Sequence, residues 1–210
     1  KGFLRQIKQE LEQNESLKAL FPDILWDTPR KQAPKWSEDD GIIVRRRAVS
    51  QMATVEAWGI VDAQPTGKHF SIMVYDDVVT VDSVTTAEMI AKTTSRWGLS
   101  VNLGTDRGRK RIVGTRYDES DTYQAILDRG VARERKRHGS HDGTASGRPM
   151  LISQAAWDQK RREMDSYTFS CQMLNTPTPD ENAFFSMVEG TTLNWYDPEK
   201  PPPYLRRYGV

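Results

Sequence analysis

Apolar and polar positions divide the chain into short elements separated by turns. Between residues 3 and 20, Phe3, Leu4, Ile7, Leu11, Leu17 and Leu20 recur at helical intervals, and Asn14 and Ser16 offer a break and a recap near the middle. One or two short amphipathic helices are expected, closed by Phe21-Pro22-Asp23. Residues 27–40, with Pro29 and Pro34 and with Trp26 and Trp36 as punctuation, read as an irregular connection. Two β-runs at 41–47 and 54–61, separated by a polar turn, predict a hairpin. The run Phe70-Ser71-Ile72-Met73-Val74-Tyr75 is too short for a typical helix and rich in β-formers, the pattern of a strand buried on both faces.

Beyond that strand, Thr85 stands as a helix N-cap with Glu88 in the capping-box position, and the helix is expected to run to about Trp97. Residues 99–103 and 111–115 are β-runs joined by the polar turn 104–110. A helix follows from Asp121, capped by Ser120 or Asp121, with Tyr123, Ile126 and Leu127 facing inward. Residues 150–152 suggest a short strand, Ser153 caps a helix running to about Met164, and 167–174 continue as an apolar-faced helix. Residues 175–203 collect Pro177, Pro179, Pro198, Pro201, Pro202 and Pro203 with acids between them, the composition of a linker. The expected fold class is α/β, with a mainly parallel central sheet, a β-hairpin insertion and C-terminal helices. Residues 1–174 form the domain and 175–210 the linker.

Composition narrows the chemistry. With 30 Lys+Arg against 29 Asp+Glu among 210 residues the formal charge is +1, so any affinity for a polyanion must be local. Residues 129–148 supply such a locality: Arg129, Arg133, Arg135, Lys136, Arg137 and Arg148 stand against Glu134 and Asp142, a net +4. A basic, glycine-dotted loop can hold a phosphate backbone without reading bases, or can simply be solvated. The single Cys171 excludes an intrachain disulfide and fits a reducing compartment, and with three histidines it leaves little for a structural zinc site. His138 and His141 fall in a glycine-flanked tract that reads as a loop. No apolar stretch approaches the ~20 residues of a membrane helix. The chain opens at Lys1 in helical periodicity and closes on residues 204–210, which read as the start of a strand; both ends suit a fragment.

The candidate chemistry lies where the apolar strand ends, on Asp76 and Asp77. In open α/β sheets the carboxyl ends of strands face the ligand crevice, so a strand delivering two acids there has the layout of a Walker B element. A nucleotide-bound Mg²⁺ takes oxygen ligands, often through its waters, and a second carboxylate can orient the attacking water. Asp76 suits the first role and Asp77 the second, although an acidic pair also begins many solvated turns. Gly67-Lys68 imitates a phosphate loop, but the spacing fails: the preceding glycine is Gly59, His69 takes the hydroxyl position, and a strand follows. Gly114-Thr115-Arg116 combines close backbone approach, a small hydroxyl and a fixed positive charge, which a phosphate sensor requires. Arg45, Arg46 and Arg47 alternate between strand faces, where edge-strand solubility competes with an anion contact.

Several stretches together resemble the large terminase subunit of tailed bacteriophages. They are Leu20-Phe21-Pro22-Asp23, Val61-Asp62-Ala63-Gln64-Pro65-Thr66-Gly67-Lys68-His69-Phe70, Val74-Tyr75-Asp76-Asp77-Val78-Val79, Gly114-Thr115-Arg116-Tyr117 with Asp121, and Phe169-Ser170-Cys171-Gln172-Met173-Leu174-Asn175-Thr176-Pro177. The match covers the later part of the family's ATPase domain and the linker toward its nuclease domain. The resemblance implies a partial P-loop NTPase fold of the helicase-like branch, ATP and Mg²⁺ as cofactors, and an ATPase that drives double-stranded DNA into a procapsid. It makes Asp76 the magnesium-side acid, Asp77 the water-polarising acid, and Gly114, Thr115 and Arg116 the motif coupling hydrolysis to domain movement. It also implies portal protein and small terminase subunit as partners, a homo-oligomeric ring during packaging, and a location in the host cytoplasm at the procapsid portal. Arg133, Arg135, Lys136 and Arg137 are the candidate DNA contacts. The family's adenine-binding, phosphate-loop and two-metal nuclease segments are missing from the match, so this chain alone is expected to hydrolyse ATP poorly or not at all. A helicase-like DNA translocase and a non-enzymatic nucleic-acid-binding module are the alternatives.

Overall fold

The computed structural model describes residues 2–178; the expected linker from residue 179 onward lies outside the described residues. The chain forms two compact units. The first runs to Tyr75 and adds Lys92–Ile112, and the second comprises Asp76–Ala91 and continues from Val113.

In the first unit the helical periodicity becomes α1 (Gly2–Gln13) and α2 (Glu15–Leu20). The break falls at Asn14, whose Oδ1 accepts the Leu17 N–H at 3.0 Å and so satisfies a donor the helix start leaves orphaned. The connection after Phe21 contains one more helical turn, α3 (Pro29–Gln32), and a minimal antiparallel pair, β1 (Trp36–Ser37) with β2 (Gly41–Ile42). Leu4, Leu25, Ile42 and Val44 are buried together, with Ile7, Leu11, Leu17, Trp36 and Val55 packed around them.

The expected hairpin of 41–47 with 54–61 is reduced to a single antiparallel bridge, Ile42 with Val55. The reason lies in where the backbone donors on that edge go: Ile42 N–H bonds Val55 O at 2.9 Å, but the next one, Val44 N–H, goes to the Thr54 hydroxyl at 3.3 Å instead of a backbone carbonyl, and the ladder stops after one bridge. The arginines are spent locally as well. Arg46 donates to Met52 O and Ser50 O at 2.8 and 2.7 Å, while Arg45 pairs with Asp27 and lies 5.2 Å from the centre of the Trp26 ring.

The central apolar run is β3 (Phe70–Asp76), followed by α4 (Ala87–Ser100), a 3-10 turn at Val101–Leu103 and β4 (Gly104–Val113). β3 and β4 pair in a small parallel sheet, which makes the architecture mixed α/β. Three expectations are corrected here. The helix cap is Thr86, whose Oγ1 accepts Met89 N–H at 3.2 Å, whereas Thr85 bonds Asp82 O. Residues 99–103 are helical rather than a strand, and the polar stretch 104–110 is strand rather than turn. Ser100, near the end of the longer helix, has its Oγ 2.8 Å from the Tyr75 hydroxyl, a buried bond that ties the helix to the strand it follows. β3 is also not buried on both faces: Tyr75 is buried, but Ile72 and Val74 are 65% and 55% exposed. Covering both faces takes a packed layer on each side, and only the face of Tyr75 meets the helix that follows.

The second unit holds α5 (Thr122–Asp128), α6 (Gln154–Glu163) and α7 (Ser166–Leu174), each started by a side-chain cap, from Asp121, Ser153 and Asp165 respectively. Trp157, Phe169 and Leu174 form its core, with the Trp157 and Phe169 rings edge to face at 5.0 Å. Residues 150–152 are not a strand. The strand-like pairing falls instead on a bridge between Ser140 and Pro149, and Met150 N–H bonds Gly139 O at 2.8 Å. No helix among the described residues is long and apolar enough to cross a membrane.

Lys68, the lysine of the false phosphate loop, donates to Glu56 Oε2 at 2.6 Å, and the Glu56 side chain is only 3% exposed. Burial pushes the Glu56 carboxyl up, but the bonds from Lys68, from Trp58 and from the Ala53 amide together outweigh it and hold the group below its usual 4.5. A depressed folded value means that stability is gained above the unfolded value and lost as pH falls through the folded one. Urea denaturation against pH should therefore show an acid limb below about pH 4.5 that Glu56→Gln flattens, while Lys68→Met at neutral pH should cost about 1–3 kcal/mol because the buried carboxylate loses its cation and keeps only the bonds from Trp58 and Ala53.

Candidate functional site

β3 ends at Asp76, and the next residue leaves the strand abruptly: Asp77 has φ 44°, in the left-handed region that few residues other than glycine adopt. Asp and Asn tolerate it better than other L-residues, because a short polar side chain can bond locally. Both carboxylates are exposed, while Val79 just beyond is buried at 1%. The buried valine draws the chain inward after the turn, leaving the acids at the rim.

The Asp77 N–H donates to Val113 O at 3.0 Å, so the acid pair and the Gly114-Thr115-Arg116 tip leave the same end of the sheet. Tyr123, from α5, fills the space between. Its hydroxyl donates to Val113 O at 3.3 Å and accepts the Val79 N–H at 3.5 Å. Burial pushes the phenol up to about 12, with the charges of Asp77 and Asp121 adding to the rise. Tyr123 is therefore a neutral donor throughout the physiological range.

Gly114 owes its identity to this tyrosine. A Cβ at Gly114 would lie 1.9 Å from the Tyr123 hydroxyl and 2.6 Å from its ring carbon, far inside contact distance. Close approach was the expectation at this glycine, and what approaches is a side chain of the protein itself.

Arg116 is placed otherwise than a free sensor charge. Its Nε donates to Asp121 Oδ2 at 2.8 Å and its Nη2 to Asp118 O and Glu119 O at 3.1 Å each, with 11% of the side chain exposed against 0% for Asp121. Asp121 simultaneously caps α5 through Gln124 N–H at 2.9 Å. The guanidinium thus neutralises a buried cap, and its fork is directed at its own loop rather than at the acid pair. Thr115, between glycine and arginine, is half-buried.

Comparison with family models, with curated proteins and with solved structures finds no match. The reading of this site therefore rests on its own chemistry.

Among the described residues no group of three or more His, Cys, Asp or Glu could hold a metal ion. A nucleotide-bound Mg²⁺ does not need one, since phosphate and water supply most of its ligands and one or two carboxylates suffice. Asp76 and Asp77 fit that arrangement and not an all-protein cage. His138, in the loop, has Nδ1 bonded to Leu174 O.

Of the basic cluster, Arg133, Arg135 and Arg137 are exposed and Lys136 half-buried, and none of the four forms an ion pair among the described residues. The segment is nevertheless anchored. Gly139 N–H bonds Met173 O at 2.7 Å, and Trp157 Nε1 donates to Ala145 O at 3.0 Å.

Two participants lay outside the sequence reading of the site. Asn175, left-handed at φ 53°, accepts Arg116 N–H on its Oδ1 at 2.8 Å, and the Tyr167 hydroxyl donates to Tyr117 O. Asparagine directly after a helix and shortly before Pro177 is a recognisable cap signal, but nothing local names its distant partner.

Gly114→Ala should lower stability by about 1–3 kcal/mol in chemical denaturation through overpacking against Tyr123. Tyr123→Phe in that background should recover only part of it, because the ring carbon also crowds the new methyl.

Proposed function

We propose that this chain is the later part of the ATPase motor of a terminase large subunit, in which ATP hydrolysis drives double-stranded DNA into a procapsid. The observation that carries the reading is the pairing of Asp77 N–H with Val113 O, which sets two exposed acids beside the Gly114-Thr115-Arg116 tip at one end of a parallel strand pair. The finer fold assignment, a P-loop NTPase of the helicase-like branch, belongs to this proposal and not to the sheet alone.

In this reading Asp76 would hold Mg²⁺, directly or through water, and the metal would supply neutralisation of phosphate charge. Asp77, turned off the strand axis by its left-handed backbone, orients the attacking water and accepts its proton. Its strain supports the assignment, since backbone of this kind persists where surrounding structure imposes it, often at functional sites. The tip has two roles: Gly114 admits Tyr123, and Arg116 keeps the tip in one shape through Asp121. Phosphate clamping falls to a segment with a true phosphate loop, which the terminase reading places elsewhere in the polypeptide. Portal protein and small terminase subunit are the partners this reading brings, and a homo-oligomeric ring the assembly.

Asp77→Asn in the complete terminase subunit tests the assignment cleanly, because asparagine accepts the left-handed conformation while losing the charge. Turnover should fall by a factor of about 10² or more with nucleotide affinity nearly unchanged; near-normal hydrolysis would defeat the role given to Asp77.

The exposed arginines favour a nucleic-acid contact as well, whether in a terminase or in a simpler binding module. If they touch a phosphate backbone, replacing Arg133, Arg135 and Arg137 by alanine should weaken duplex binding without sequence preference. The slope of log affinity against log salt should then drop by about 0.9 for each phosphate that is no longer neutralised.

A further inference from the structure

The Gly114–Tyr117 tip is held from the far side by the end of α7. Arg116 offers its backbone N–H to Asn175 Oδ1 at 2.8 Å, and Tyr117 offers its carbonyl to the Tyr167 hydroxyl, so two successive residues of the tip are pinned to one helix. Asn175 can do this only because it ends the helix. Its own N–H closes on Cys171 O at 3.0 Å, its backbone is left-handed, and the side chain is thereby swung back toward the tip. Thr176 N–H bonds Ser170 O at 3.0 Å and Pro177 is buried, so the chain leaving the helix is fixed in the same place. The guanidinium of Arg116 is meanwhile clamped to Asp121 from the other side. The backbone of the tip is consequently held by α7 and its side chain by the α5 cap.

We propose that Asn175 and Tyr167 are positioning residues that latch the tip to α7, so that a displacement of the tip when nucleotide is hydrolysed moves the end of α7 and the chain beyond it. This role rests on the terminase reading above. Neither residue touches the acid pair: they act through the backbone of Arg116 and Tyr117.

The test uses the complete terminase subunit with Asn175→Gly, which keeps the left-handed backbone at no steric cost and removes the acceptor. ATP hydrolysis and DNA movement are measured on the same protein, together with amide exchange at Arg116. The latch predicts that DNA moved per ATP falls about ten-fold while kcat and KM for ATP stay within about three-fold, that exchange at Arg116 accelerates, and that Asn175→Asp, which retains the oxygen, restores all three. Tyr167→Phe should reproduce the loss in weaker form and serves as the second variant should Asn175→Gly fold poorly. Unchanged DNA movement per ATP in both variants overturns the proposal, as does a parallel loss of hydrolysis and movement that Asn175→Asp fails to rescue. A parent that moves no DNA with ATP removes the terminase reading and this role with it. That failure is distinguishable, because accelerated exchange at Arg116 would still show the hydrogen bond to be real.

Discussion

A carboxylate with no solvent exposure organises the candidate site. Asp121 caps α5 with one oxygen and neutralises Arg116 with the other. Taking two charges out of water is expensive, and the expense is recovered only when the remaining hydrogen-bonding capacity is also used. Here the guanidinium donates to two backbone carbonyls as well, so the pair is well satisfied. Removing Asp121 would strand a nearly buried arginine and uncap a helix at once, an arrangement whose loss costs about 3–5 kcal/mol. The position of the tip, and through α5 the position of Tyr123, depend on this pair.

Tyr123 carries the constraint onward to the strand ends. Its hydroxyl bridges Val113 O and Val79 N–H, which flank the acid pair and the tip on two separate stretches of chain. A phenol held neutral by burial suits this task, because an ionised oxygen could not donate to a carbonyl. Gly114 is then obligatory for space, and Asp77 is tied to the same strand end by its own N–H bond to Val113 O. The missing side chain at Gly114 is the direct consequence of one packed tyrosine.

The sheet itself is sparse. Parallel strands bury their apolar side chains when helices or further strands lie against them. Within β3 and β4 only Tyr75 reaches that condition, through the hydrogen bond to Ser100 on the crossover helix, and Ile72, Val74 and Val113 face outward. The apolar character of the strand and its exposure are both real, and they answer to different causes: composition sets the first, the layers packed against the sheet the second.

The helix starts were legible at Asn14, Asp121 and Ser153, because a cap bonds within three residues and leaves its mark on adjacent positions. So were the strand ending on Asp76 and the failed spacing around Lys68. The α/β class also followed from alternation of periods, and close approach at 114 followed from the glycine there. What the residues could not announce was partnership at a distance. Arg116 and Asn175 are 59 positions apart, the Glu56 carboxylate takes Lys68 from a neighbouring turn, and the Val44 donor that would extend the hairpin goes to the Thr54 hydroxyl. Local preference acts over one turn of chain, whereas the choice of partner for a buried polar group is made by whichever groups the packed fold leaves within reach. Composition and spacing therefore determined which chemistry the chain could bring to the end of its strand. Tertiary structure decided that the arginine beside it would be locked inward, that a tyrosine would fill the gap, and that an asparagine at the end of a helix would hold the tip.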